Sequence, residues 1–179
     1  MDVVNALAES WPRRAPLRRP FAEVAREHLD DVFRYLVFLT ADPVLAEDLT
    51  GETFEKAFRS WKRFDPRRGS ERTWLCQLAR SKALDHFRSE ARRRRREDRS
   101  ADEGPQSVEP LAEGISPELE AALRALTAGE REVVVLRIVL ELDAVGAARV
   151  LGISRTACSM RLARALQKLE ERMEAHVVA

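Results

Sequence analysis

Cysteine is almost missing from this chain of 179 residues: Cys76 and Cys158 are the only two, far apart and inside helical patterns. There is no CxxC and no Cys/His ligand spacing, and His28, His86 and His176 stand alone. A metal site or a disulfide framework is therefore not expected, and both cysteines read as small buried apolar residues. Glycine (7) and proline (8) are few and gather between periodic segments. No stretch alternates polar and apolar residues as a half-buried strand would. No apolar run nears the roughly 20 residues that a bilayer core demands. The opening MDVVNALAESWPRRAPLRRP lacks a basic start followed by an apolar stretch and a small-residue cleavage site, so a secretory signal and membrane insertion are not expected and a cytoplasmic location is. No nucleophile–base pair or phosphate-cradling glycine loop is visible, which makes an enzyme the poorest reading and leaves no cofactor to expect.

What is present is charge, 34% of all residues against 45% hydrophobic ones. The net charge of +1 hides a segregation. Residues 1–100 hold 22 Lys/Arg against 17 Asp/Glu, residues 101–118 hold five acids and no base, and residues 119–179 hold nine Lys/Arg against eight Asp/Glu. A basic front, an acidic bridge and a balanced back inform about partners rather than about fold.

Apolar residues recur in helical steps. Phe21, Val24, Leu29, Val32, Phe33 and Leu36 define one face of a first helix. Asp42-Pro43 reads as an N-cap with proline in the first turn, opening a helix from about Val44 to Trp61. FDPRRGS breaks the pattern, and a third helix runs from near Ser70 through Trp74, Leu78 and Phe87 into the arginine run Arg92–Arg96. Residues 97–116 carry no period, two prolines and two glycines, as a flexible acidic linker does. Order resumes at Ser116-Pro117, and Thr127 with Glu130 spells a capping box. The fold class expected is all-α: a N-terminal extension over 1–20, a helical domain over 21–96, the linker over 97–116 and a second helical domain over 117–175.

AVGAARVLGISRTACSMRLARALQKL has the spacing of a helix-turn-helix. Ala148 lets two helices approach, Gly152 suits the left-handed turn, Ile153 plugs the corner, and Ser154 can cap the second helix. Cys158, Leu162, Ala165, Leu166, Leu169 and Met173 form its expected buried stripe. Arg155, Thr156, Ser159 and Arg164, with Arg161 toward the edge, face outward in a form that suits a major groove. The same turn also joins helices in bundles that bind nothing. In the first domain, Glu47, Asp48 and Glu52 lie on one helix side with Phe54 and Phe58, either as a solvated face or as a docking face for a basic helical element. Trp74 among Arg72, Arg80, Lys82 and Arg88 suits single-stranded DNA by stacking and phosphate attraction, or it is core.

These pieces in this order, AEDLTGETFEKAF, WKRFD, TWLCQLARSKALDHFR, LTAGEREVVVLR and LGISRTACSMRLARAL, resemble the ECF (extracytoplasmic function) sigma factors of the sigma-70 superfamily, over about 21–95 and 118–173. The resemblance implies region 2 in the first domain, region 4 in the second, and a non-catalytic subunit that binds RNA polymerase core and directs it to promoter DNA. It places core-polymerase binding, to the clamp helices of the largest subunit, on Asp48, Glu52, Thr53, Phe54 and Phe58, and implies the polymerase flap as a second contact. It places the minus-ten element at Phe64, Arg72, Trp74, Arg80, Ser81 and Arg88, and the minus-thirty-five element at Ser154, Arg155, Thr156, Ser159, Arg161 and Arg164. The acidic linker resembles a segment threaded through the polymerase cleft, and an anti-sigma factor is a common partner of such proteins. The chain departs from the pattern at Gly51 (often Gln), Ser81 (often Asn), Gly146-Ala147 (usually Glu-Ile) and Thr156 to Ser159 (often Gly-Thr-Val-Lys). The alternative function is a stand-alone helix-turn-helix regulator, which would require dimer symmetry and leave the acidic helix without a role.

Overall fold

The structure, a computed structural model, describes residues 19–97 and 116–177. The N-terminal extension up to residue 18 and nearly all of the acidic bridge lie outside the described residues. Seven α-helices and no strand occur among those described: α1 Phe21–Thr40, α2 Pro43–Ser60, α3 Glu71–Glu97, α4 Pro117–Arg124, α5 Ala128–Val134, α6 Ala144–Leu151 and α7 Arg155–Val177. Several boundaries have a chemical cause. Asp42 Oδ1 accepts from the backbone N–H groups of Val44 (2.9 Å) and Leu45 (3.1 Å), satisfying donors that the helix itself leaves orphaned. Asp65 does the same for a short 3-10 turn at Pro66–Arg68, and Ser70 Oγ accepts from Thr73 N as α3 begins. Thr127 and Glu130 form the reciprocal capping box expected of them.

The helices make two bundles. In the first, α1, α2 and α3 pack on one another around Tyr35, Leu36 and Leu75, none of which reaches solvent. The face of α2 turned inward is made of short residues, Ala46, Leu49, Thr50, Thr53 and Ala57, so the neighbouring helices approach closely. An aromatic cluster closes one end: Trp61 stacks on Phe64 with centroids 5.0 Å apart, and Trp74 and Phe21 tilt against Trp61 at 5.8 and 5.6 Å. The second bundle sets α4, α5 and α6 against the long α7. Here α5 does not end cleanly. Its last turn widens into a π-helix over Val135–Val139, with Leu140 N bonded back to Val135 O at 2.9 Å. A widened turn of this kind shifts the register of everything after it.

Two expectations change. Leu29 and Phe33 are 47% and 37% exposed, because α2 and α3 cover only one side of α1. Leu166 is 42% exposed: the buried stripe of α7 runs through Cys158, Leu162, Ala165 and Leu169, and Leu166 lies one position beyond it. The expected pair of domains is present, but they touch. α6 lies across α3, and the π-turn meets α1.

Candidate nucleic-acid interface

The helix-turn-helix is built as its sequence spacing suggests. Asp143 caps α6 through a 2.6 Å bond from Gly146 N. Gly152 then takes φ +68°, where a side chain would be strained, and Ile153 N returns to Ala148 O at 3.0 Å. Ser154 Oγ accepts from Ala157 N at 3.1 Å and opens α7. With Cys158 and Ala165 fully buried beneath, Arg155, Thr156, Ser159 and Arg164 stand exposed on the other face. Neither Arg155 nor Arg164 is held by an ion pair with another described residue. Arg161 departs from expectation. It is half-buried, with its guanidinium turned toward Gly129 at the start of α5, so its reach toward a groove is short. Burial raises the Cys158 thiol, which makes it a packing residue rather than a reactive one.

α7 is anchored from below by Glu130. One carboxylate oxygen accepts from Lys168 Nζ at 2.6 Å, and the other from Thr127 N and Thr127 Oγ1, both at 2.9 Å. The Lys168 ammonium first, and the Thr127 N–H after it, hold this carboxyl down to about 2. The capping box thus ties the recognition helix to α5.

In the first bundle the expected minus-ten residues separate into two groups. Phe64 is 6% exposed, stacked on Trp61 and tilted against Trp74 in one aromatic cluster. So little of its ring reaches solvent that a base has almost no surface to stack on in this arrangement. Trp74 is half-buried in the same cluster, which favours the core reading over a free stacking platform. Ser81 is half-buried, while Arg88 is exposed and, among the described residues, paired only with Asp85 on its own helix, at 3.1 Å. Arg72 and Arg80 face the second bundle. Arg72 Nε meets Asp31 at 2.9 Å, and its Nη1 donates to Leu140 O at 2.9 Å. Arg80 Nε donates to Glu132 Oε1 at 2.7 Å. The same oxygen accepts from the fully buried Tyr35 hydroxyl at 2.6 Å. Burial, and then the Glu132 carboxylate, push the Tyr35 phenol well above its ordinary value, so it remains a donor. Glu132 and Tyr35 were not singled out by sequence. They lie 97 residues apart, and no local pattern announces such a pairing.

The acidic face of α2 is open. Glu47, Asp48 and Glu52 are exposed, with Glu52 bonded to Lys82 Nζ at 2.7 Å. Phe58 is 67% exposed beside Phe21, a large apolar surface without cover. Thr53 corrects an expectation: it is fully buried and donates to Leu49 O at 2.7 Å, so it packs α2 rather than touching a partner. Phe54, half-buried against Phe21, belongs partly to the core as well. Gly51 lies on the open face, where an added Cβ would meet nothing.

Comparison with known proteins matches both bundles to families: Sigma-70 region 2 over residues 24–93 and Sigma-70, region 4 over residues 116–169. The ECF RNA polymerase sigma factor BldN of Streptomyces coelicolor is 32% identical over 154 residues, covering 83% of this chain; the chain spans only 58% of that protein. The ECF RNA polymerase sigma factor SigX of Bacillus subtilis is 30% identical over 154 residues, 80% of this chain and 78% of SigX. The probable RNA polymerase sigma-C factor of Mycobacterium bovis is 35% identical over 147 residues, 78% of this chain and 75% of its own length. Among solved structures, the fold is similar to that of the sigma factor RpoE from Bartonella quintana in complex with the anti-sigma factor NepR, with TM-score 0.72 and 22% identity over 86% of this chain and 96% of that one. It is also similar to CnrH in complex with the cytosolic domain of CnrY, with TM-score 0.62 and 25% identity over 97% and 96%.

Proposed function

We propose a role in promoter recognition for this chain, which belongs to the ECF sigma factors of the sigma-70 family: it binds RNA polymerase core and brings it to promoter DNA as a transcription initiation factor. The observation that carries the reading is the pairing, in one chain, of an exposed Arg155/Thr156/Ser159/Arg164 face on a capped recognition helix with an open acidic and aromatic face on α2. Arginine reads guanine edges or phosphates, and the short hydroxyls let the helix sit deep in the major groove. We assign minus-thirty-five recognition to this face, with Ser154 positioning it through the cap. Arg72, Arg80 and Arg88 supply the cations for the minus-ten element, on a scaffold built by Phe64 and Trp74. Asp48, Glu52 and Phe58 dock on the clamp helices, and the second bundle meets the flap. Each DNA contact is modest by itself; core holds the two at fixed separation so that they act together. The polymerase supplies the chemistry, the work is done in the cytoplasm, and an anti-sigma factor is the inhibitory partner. No helix among the described residues is long and apolar enough to cross a membrane.

The test is the double substitution Asp48→Arg with Glu52→Arg. Losing the exposed Glu52–Lys82 pair costs about 0.2–1 kcal/mol of stability, so the variant stays folded. It should fail to co-purify with core polymerase, and co-purification at the wild-type level would refute the α2 assignment.

A further inference from the structure

The first bundle leaves one apolar crevice open, between α1 and α2. Leu29 and Phe33 of α1 and Phe58 of α2, all exposed, border it. The ion pairs fix which flank each residue is on. Asp31 of α1 meets Arg72 of α3, and Leu29 and Phe33 lie on the other flank of α1, toward α2. Glu52 of α2 meets Lys82 of α3, and Glu47 and Phe58 lie on the other flank of α2, toward α1. The two helices run antiparallel from the turn at Ala41-Asp42. The crevice therefore starts at Phe21 and Phe58, whose ring centroids are 5.5 Å apart, and ends at the level of Glu47. Glu52 and Glu55 are paired, with Lys82 and Arg59, whereas Glu47 and Asp48 have no ion pair with another described residue. One end is thus aromatic and the other negative.

The chain enters the bundle at the aromatic end. Trp61 Nε1 donates to Arg19 O at 3.3 Å, and Arg19 is held by Glu27 at 2.6 Å and Glu71 at 3.1 Å. The point where residues 1–18 join the bundle is therefore fixed two residues before Phe21. Residues 11–19, WPRRAPLRR, hold four arginines and no acid, with Trp11 and Leu17 as large apolar residues. They complement the crevice in both respects. We propose that in the free protein residues 11–18 fill the α1–α2 crevice, with Leu17 against Phe58 and with Arg13 and Arg14 against Glu47 and Asp48, so that this N-terminal arm competes with polymerase core for α2. This rests on the sigma-factor reading above. The reach is sufficient: six residues from Arg19 back to Arg13 extend about 20 Å, against a rise of about 16 Å along α2 from Phe58 to Glu47. Because the arm is tethered, it meets α2 at an effective concentration on the order of millimolar. A contact too weak to hold a free peptide is then populated within the chain.

The experiment uses the full chain with a nitroxide on Val44→Cys, an exposed position at the acidic end of the crevice. Cys76 and Cys158 are buried and stay unlabelled. The amide signal of Ala15 should lose most of its intensity beside the oxidised label and regain it in R13E/R14E, whose tether is equally long. The same two substitutions, without the label, should tighten binding to polymerase core several-fold. An undiminished Ala15 signal, equal broadening in R13E/R14E, or core binding no tighter in R13E/R14E would overturn the competing arm. The last result is also what an arm used on promoter DNA or on core itself would give. Broadening of an isotope-labelled chain by a separate nitroxide-bearing chain would put a second copy's arm in the crevice and overturn the contact within one chain. Loss of core binding by the wild type would instead overturn the sigma reading, and the nitroxide measurement, made without core, would still decide where the arm lies.

Discussion

Replacing Glu130 by Gln isolates the charge in the bond network that holds the recognition helix. The amide keeps the size of the carboxylate and one acceptor oxygen, so the capping box retains its shape, but the ionic bond to Lys168 is lost. In the folded chain the Glu130 carboxyl lies at about 2, against an ordinary value of 4.5. A drop of that size is worth at most about 3.4 kcal/mol. Lys168 is 46% exposed, and water screens the pair, which leaves roughly 1–2 kcal/mol. A carboxyl lowered by folding contributes fully above its unfolded value and loses that contribution as pH falls through its folded value, because the unfolded chain binds more protons in between. The wild type should therefore exceed the variant at pH 7 and converge on it between pH 4.5 and about 2, with the gap reduced to under about half by pH 3. Urea denaturation of the full chain, followed by circular dichroism, should give a midpoint about 0.5–1 M lower for Glu130→Gln at pH 7. Equal midpoints at pH 7, or a gap that stays constant from pH 5 to pH 3, would refute the account of Glu130 as an ionised anchor of α7.

Two further outcomes follow from the exposed faces. Gly51→Ala should raise stability by about 0.5–1 kcal/mol, since the added Cβ meets nothing and glycine within a helix costs backbone entropy; a lower denaturation midpoint would contradict the open α2 face. Arg155→Ala with Arg164→Ala should leave folding within about 0.5 kcal/mol of wild type, weaken holoenzyme binding to promoter DNA, and lower the slope of log affinity against log salt by nearly one for each phosphate contact removed. Binding with an unchanged slope and unchanged affinity would take the minus-thirty-five role away from this face.

The parts of this protein governed by near neighbours along the chain are legible in its sequence. Asp42, Thr127 and Ser154 act on N–H groups two or three residues away, and Gly152 answers a local need for positive φ. Helix boundaries and the helix-turn-helix followed from these, and so did the outward set on α7 apart from Arg161. The misses share a cause. Thr53 and Phe64 sit in segments whose spacing allows either face, and only the packing of α2 against its neighbours and of Phe64 within the cluster with Trp61 and Trp74 decides that both are inside. Leu29 and Phe33 have the right period for a core, but a three-helix bundle covers too little of α1 to bury them. Hydrophobic period reports which residues share a face, not how much of that face a partner covers.

The departures from the family pattern point the same way. Gly51 and Gly146 look alike in sequence, each a glycine inside a helix where a larger polar residue is common among relatives by resemblance, and each costs roughly 1 kcal/mol of helix stability relative to Ala. In the folded chain they are opposites. Gly51 faces open space, so nothing in this structure calls for it. Gly146 is buried with Thr73 and Asp143 oxygens each 2.8 Å from where its Cβ would be, so its missing side chain is what lets α6 reach α3. A glutamate at 146 would place a carboxylate in the seam beside Asp143 and force the bundles apart. The cost of glycine at this one position is offset by the close approach of α6 to α3. The sequence at 146 thus fits the contact between α6 and α3.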